Sequence, residues 1–523
     1  MNASYQKIPT AEELFAPARA RLAELETTLL GAEAQQMSHS EVERLVERDG
    51  RAILLALYQA HLRLRGMAEP TVAVVGSDGV ERTHRRPGET RPLLTVLGRA
   101  EIERTSYSGR QTTSLMPVDA DLNLPAEVYS LEVRRRVAQA ASRMSFDATV
   151  AEMAAHTGAP VPKRQTEELV MRAAADFDAY YAAMTPPAAP ESTSELLVLS
   201  FDGKGVVVRK EDLRPATRKA AKAGRHKLAS RLSKGEKSHR KRMATVAAVY
   251  TVAPHMRTPE DIIAGLRHVK LVEERPARPR PEFKRVWASL QREMEEVIAD
   301  AFVEAGKRDP EGKKRWIALV DGDRKQIRRI QAVAKRCKRN VTFVLDFIHV
   351  LERLWKAGHC LHAESTPEVE AWVLARLERV LRGESSAVAA GMRRSATLRR
   401  LAPADRKPID ACANYLIKYR SMLRYDEALR DGLPIATGII EGACRHLICD
   451  RMDVTGARWS LEGAEAVLRL RALLSSGDFD AYWIFHEQQE QARTHKSRYA
   501  NDAPPAVELP SSRAHLRAIK GGR

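Results

Sequence analysis

Five acids and one histidine in this 523-residue chain stand where polar groups can do chemistry. Asp202 interrupts the apolar run LLVLSFDGKGVVV (196–208), and a carboxylate inside a strand is costly unless its charge is met; a divalent cation is one partner that fits. Asp321 follows the apolar run WIALV and is released into a Gly turn, where it can meet a second acid without being smothered by the core; Asp323, two positions on, is a rival for that role. Asp346 lies where NVTFVLDFIHVLERLW passes from strand to helix, and His349, three residues later, shares its face. Taken alone, that pair reads as a helix cap and a packed histidine. Glu441 sits at the edge of an apolar helical stripe, Ile440, Cys444, Leu447 and Ile448, with Arg445 one turn on. Asp202, Asp321 and Glu441 thus form a set of three carboxylates on two strands and a helix. Two Mg²⁺ or Mn²⁺ ions held about 4 Å apart by such a set activate a water or a 3′-hydroxyl on one side of a phosphorus and stabilise the leaving oxygen on the other. No covalent enzyme intermediate is needed.

The elements that must position these groups follow from period and punctuation. Strands are expected at 196–208, 243–253 and 316–320, then a helix over KQIRRIQAVAKRCKR and a strand ending near Asp346, in βαβ order. Residues 356–435 are helical by period and form an insertion, and 436–475 carries the Glu441 helix. Upstream, 11–66 reads as two helices and 71–107, from TVAVVG through RPLLTVLGRAEIERTSY, as a small antiparallel sheet. A stripe of Phe146, Val150, Met153 and Ala154, ended by Gly158, and a second helix starting near Pro162 make a helix-turn-helix pattern that displays Lys163, Arg164, Gln165 and Thr166 toward base edges or phosphates. The Pro-rich TPPAAPESTSE (185–195) is a linker. The expected segments are therefore 1–120, a helix-turn-helix region 121–190, a core in 195–355 and 436–475 interrupted by the insertion 356–435, and a C-terminal tail 476–523.

Charge identifies the class of partner. Lys and Arg outnumber Asp and Glu by 86 to 68, a formal charge of +18, and the pI is near 9.7, as expected for a chain that meets a polyanion such as double-stranded DNA. Residues 209–242 hold 14 Lys or Arg against three acids, with no aromatic residue to stack. Arg218, Lys219, Lys222, Arg225, Lys227, Arg240, Lys241 and Arg242 there are expected on the phosphate backbone. Arg445, Arg451 and Arg458 would line the DNA path, and Trp459 would stack on a distorted base. The five cysteines include no CxxC pair, so neither a disulfide framework nor a zinc ribbon is indicated and buried free thiols are expected. The opening MNASYQKIPTAEELFAPARA lacks a signal-peptide core and no apolar stretch is long enough to span a bilayer, so a cytoplasmic protein, at the nucleoid when on DNA, is expected. The absence of GxxxxGK[ST] and GxSxG argues against a P-loop ATPase and a serine hydrolase.

Across roughly 120–475, the segments SFDGKGVVVRKEDLR, ALVDGDRKQI, VLDFIHVLERLWKAGH and IIEGACRHLICDRMDVTGARWSLEGAEAVLRLRAL strongly resemble bacterial insertion-sequence transposases of the ISKra type, related to the Mutator-like DDE group. That resemblance implies an RNase H-like catalytic core with a helical insertion. It also implies Asp202, Asp321 and Glu441 as the DDE triad, and Asp346 with His349 as the (Cys or Asp)-x-x-His motif after the second acid. A mixed α/β fold, Mg²⁺ or Mn²⁺ as cofactor, and a homodimer or higher oligomer on transposon ends and target DNA are implied with it. The segment YSGRQTTSLMPVDADLNLP carries none of the cysteines that relatives place there. A non-catalytic DNA-binding derivative and a structure-selective nuclease on the same fold are the competing readings.

Overall fold

The computed structural model describes residues 9–184, 194–223, 228, 240–267, 277–454 and 456–509. The chain divides into two units, Met1–Ala182 with Phe479–Arg523, and Ala183–Asp478.

In the first unit, helices Ala11–Leu30 and His39–Gly66 precede an antiparallel hairpin, His84–Thr95 with Gly98–Ser108. TVAVVG is not one of its strands: Val75 makes only an isolated bridge to Glu81, and Gly76 one to Tyr499. The polar stretch His84–Thr95 takes the strand instead, because a register shift between Arg86 and Glu89 passes Pro87 and the left-handed Gly88 (φ +75°) without breaking the ladder. Helices Leu131–Arg143, Phe146–His156 and Lys163–Ala173 pack against one another, the second capped by Ser145 and the third starting just after Pro162. Residues 479–494 are not part of a tail, because helix Phe479–Thr494 buries Phe479, Tyr482, Trp483, His486 and Glu490, and the Tyr482 hydroxyl donates to the Ala173 carbonyl (2.6 Å).

The second unit is mixed α/β, built on a five-stranded sheet. Its strands are β1 (Leu196–Val207), β2 (Lys241–Val252), β3 (Glu282–Ser289), β4 (Arg315–Val320) and β5 (Val341–Leu345), in the spatial order β3-β2-β1-β4-β5. β2 runs antiparallel to both of its neighbours, β1 and β3, whereas β4 pairs parallel with β1 and β5 parallel with β4. Residues 196–201 of β1 are buried without interruption, as a central strand covered on both faces requires. Crossovers to the parallel strands are helical: α1 (Met294–Arg308) before β4, α2 (Arg324–Arg336) between β4 and β5, and α3 (Phe347–Gly358) after β5. The insertion comprises α4 (Pro367–Leu381), α5 (Ser385–Leu398), α6 (Pro403–Lys418) and α7 (Tyr425–Arg430). Next comes α8 (Gly438–Ala443), which runs on as six residues of π-helix, Cys444–Cys449, and then α9 (Leu461–Ser476). α9 packs on β3, where buried Glu465 accepts from the Ser289 hydroxyl and the Leu290 amide (both 2.7 Å). Strand β3 and helix α1 have no counterpart among the sequence expectations.

The arm 209–242 contains a helix, Pro215–Ala223, on which Lys219 and Lys222 are exposed. Arg225 and Lys227 lie outside the described residues. Cys412 and Cys444 are buried as expected, but Cys337 is exposed and Cys360 and Cys449 are half-buried; none forms a disulfide. Among the described residues no helix is long and apolar enough to cross a membrane.

Candidate active site

Where the parallel pairing of β1, β4 and β5 ends, three aspartates stand in one row. The last β1–β4 pair is Ser200 with Leu319, and Asp202 and Asp321 each stand two residues beyond it. The last β4–β5 pair is Val320 with Leu345, and Asp321 and Asp346 each stand one residue beyond it; the Asp346 amide donates to the Val320 carbonyl (2.8 Å). Neighbouring strands lie roughly 4.8 Å apart, so this row gathers acid at one edge of the sheet. Two helices begin at the same edge, α2 capped by Asp323 (Oδ1 to the Lys325 amide, 2.7 Å) and α3 by Asp346 (Oδ1 to the Ile348 amide, 3.1 Å). Their N-terminal dipole ends favour negative charge there.

Asp321 is half-buried and its Oδ1 accepts from the Asp323 amide (2.8 Å), while Asp323 is exposed and used as a cap. The insertion holds this turn in place: the Tyr415 hydroxyl donates to the Asp321 carbonyl (2.9 Å) and the Tyr419 hydroxyl to the Gly322 carbonyl (2.5 Å). Gly322 has φ +97°, and a Cβ there would stand 2.9 Å from the Tyr415 hydroxyl, so both backbone and space require glycine. Asp202 is half-buried and accepts from the Cys444 thiol (3.1 Å); burial pushes that thiol up from its ordinary range, and the Asp202 charge adds to the effect.

Asp346 is fully buried, and its second oxygen accepts from the Thr437 hydroxyl (2.6 Å) and pairs with His349 Nδ1 (2.8 Å). The Thr437 hydroxyl also lies 3.4 Å from Glu441 Oε1. Among the described residues, Asp346, His349 and Glu441 bring ligand atoms within 4.8 Å of one another. His349 is therefore not the packed histidine expected for that pair alone: its side chain is 36% exposed. The hydrogen bond with Asp346 raises its pKa above the ordinary value against the effect of burial, with the charges of Asp346, Asp321 and Glu352 contributing. Among the described residues no Lys or Arg forms an ion pair with Asp202, Asp321, Asp346 or Glu441.

Several expected nucleic-acid contacts are turned inward. Arg451 is 2% exposed and its guanidinium stacks 4.7 Å from the ring centre of Trp459, which is itself buried and donates from Nε1 to the Met452 carbonyl. Burial brings the Arg451 pKa down to about 10. The π-helical turns ahead of it close i→i+5 rings and shift the phase of everything after them, which an α-helical projection misplaces. Arg242 is spent on backbone, donating to the Leu290 (2.7 Å) and Asp212 (2.9 Å) carbonyls. Arg218 stays exposed while donating to the Leu213 (3.0 Å) and Glu211 carbonyls, and Thr166 is buried, donating to the Pro162 carbonyl (3.1 Å). Lys163 and Arg164 are exposed but paired, with Asp147 (2.9 Å) and Glu168 (3.2 Å); Gln165 is half-buried. Arg240, Lys241, Arg445 and Arg458 are exposed. Sequence reasoning missed Tyr415, Tyr419 and Thr437. Of these Thr437 carried a usable signal, standing four residues before Glu441 at the start of the same helix.

No protein-family model matches the chain, and no curated protein matches it in sequence. Among solved structures, similarity is found to the Drosophila P element transposase strand transfer complex, at 11% identity over 74% of this chain and 86% of that chain. The TM-score of 0.22 is too low to establish a common fold.

Proposed function

We propose that this chain is a DNA transposase of the DDE type, with an RNase H-like core in 195–355 and 436–475 and the insertion 356–435 between them. In this reading Asp202, Asp321 and Glu441 are the catalytic acids. The observation that carries it is the edge of the sheet where the parallel pairing ends: Asp202, Asp321 and Asp346 in one row, with Glu441 beside Asp346 and His349, and, among the described residues, no Lys or Arg ion-paired to them. In a chain of net charge +18, acids without Lys or Arg partners are well suited to an external cation. The strand order, three antiparallel strands followed by two parallel ones, supports the RNase H-like assignment.

The donor set fits a divalent ion. Carboxylates suit Mg²⁺ and Mn²⁺, and the imidazole of His349 favours Mn²⁺ or another transition metal over Mg²⁺. Asp346 has both oxygens engaged by the protein, so its part is to orient His349 beside Glu441. Thr437 bridges the buried acid Asp346 to the helix acid Glu441. Tyr415 and Tyr419 fix the backbone under Asp321. Bound here, two Mg²⁺ or Mn²⁺ ions would activate the attacking hydroxyl and offset charge on the leaving oxygen. The exposed lysines and arginines of 215–223 and 240–241, with Arg445 and Arg458, are proposed to hold the phosphate backbone of element ends and target DNA. The test is incubation of the protein with duplexes carrying its own element's ends. Metal-dependent nicking with joining of the freed 3′ end to a second duplex is expected; cleavage without joining would reduce the reading to a nuclease, and no cleavage with either metal would reject it.

A further inference from the structure

The opposite edge of the same sheet has the opposite charge. A cavity of about 440 Å³ is lined by Gly312, Lys314, Arg315, Trp316, Lys338, Arg339, Asn340 and Thr342. Arg315 and Trp316 open β4, while Thr342 lies at the start of β5 across from Ile317. Six residues of strand separate Arg315 from Asp321, about 20 Å at roughly 3.3 Å per residue, so this cavity is separate from the acidic row.

Its cations are held in place by the surrounding chain. Arg339 lies over the Trp316 ring (5.1 Å to its centre) and donates to the Asp309 carbonyl (3.2 Å). Gly312, at φ +71°, gives that guanidinium its room, since a Cβ there would stand 2.7 Å from Nη1. Lys314 donates to the Ser194 carbonyl (3.0 Å) and Arg315 pairs with Asp431 (2.9 Å). The nearby Asp309 carboxylate is already taken by the Trp316 indole and the Lys313 amide (both 2.8 Å). Among the described residues neither Lys338 nor Arg339 pairs with an acid, so positive charge converges on the cavity in excess of negative. Lys338 projects from a left-handed residue (φ +52°) just past the end of α2.

We propose that this cavity is an anion site that seats a phosphate group, supplied either by a free phosphorylated ligand or by a nucleic-acid backbone. Its geometry suits that group: a fixed guanidinium, two ammonium groups and the amide of Asn340 around a small polar hollow. The experiment uses the full chain in EDTA, which removes any contribution of metal at the acidic edge and so makes failure here distinct from failure of the catalytic reading. Inorganic phosphate, adenosine monophosphate and a short duplex are titrated into the wild type and into Lys338→Asn, which loses the charge but tolerates the left-handed backbone. With thermal unfolding unchanged, affinity for phosphate and the nucleotide is expected to fall about tenfold. A duplex salt slope smaller by about 0.9 in the variant identifies the backbone as the source; an unchanged slope identifies the free ligand. Equal affinity of variant and wild type, or no binding of any probe, overturns the proposal.

Discussion

Each unit buries an aspartate against a histidine, and the two sites differ in what completes them. In the N-terminal unit, His486 Nδ1 donates to Asp176 (2.6 Å) and its Nε2 faces Arg134 (3.0 Å). Every acid around that pair has a guanidinium: Asp176 and Glu490 share Arg493, Glu490 and Glu127 share Arg134, and Glu127 takes Arg172 as well. In the sheet unit, among the described residues, Asp346 is met by a hydroxyl, an amide and an imidazole, and its acidic neighbours form no ion pair with Arg or Lys. A network neutralised from within ties a helix down. An acidic cluster that is not neutralised lies ready for a cation from outside.

The sharpest way to break this contrast is to remove the acids. Asp202→Asn, Asp321→Asn and Glu441→Gln are each expected to lower metal-dependent cleavage by about 10³-fold or more, the loss of several kcal/mol of transition-state stabilisation. Their unfolding temperatures should stay level or rise, because mutual repulsion is relieved; cleavage assays and calorimetry on the same preparations check both. A marked loss of stability would mean that the cluster is structural. The converse substitution is Arg134→Ala, which empties a fully buried position and leaves Glu127 with Arg172 alone and Glu490 with Arg493 alone; it should cost about 3 kcal/mol in denaturant unfolding.

Smaller effects test the parts that orient the site. Thr437→Val, which takes the hydroxyl from Asp346 and Glu441, should weaken Mn²⁺ binding by about 10–100-fold, with Thr437→Ser close to wild type. Equal binding by all three proteins would remove Thr437 from the site. The N-terminal network has a pH signature. Burial pushes Asp176 up, but hydrogen bonds from Arg493 and His486 outweigh it and hold the carboxyl at about 2, below its ordinary 3.8. A carboxyl depressed in the folded state adds stability that is present above its unfolded pKa and is lost as pH falls through the folded one. The contribution should therefore be complete above about pH 4 and fade toward pH 2, and Asp176→Asn should flatten stability across that window in an acid titration followed by circular dichroism.

Asp321 was legible because an apolar run that stops at an acid, with glycine next, marks a strand end, whereas Asp202 was legible as a lone carboxylate inside an apolar run, in a strand that continues to Val207. The hairpin was displaced because strand propensity in TVAVVG yielded to the pairing and packing available to His84–Thr95. The helical pairing 146–173 and the helical insertion were legible by period, while β3 and α1 passed unread. Local sequence determines where a strand or helix ends, and so where a side chain leaves it. Tertiary structure decided the partners: Glu441 beside Asp346 and His349 across some 90 residues, Tyr415 and Tyr419 under the Asp321 turn, Arg451 inward on Trp459, and the Phe479–Thr494 helix in the N-terminal unit. The physical reason is that ion pairs, stacking and hydrogen bonds between distant residues depend on distances of a few ångströms, which chain spacing does not encode.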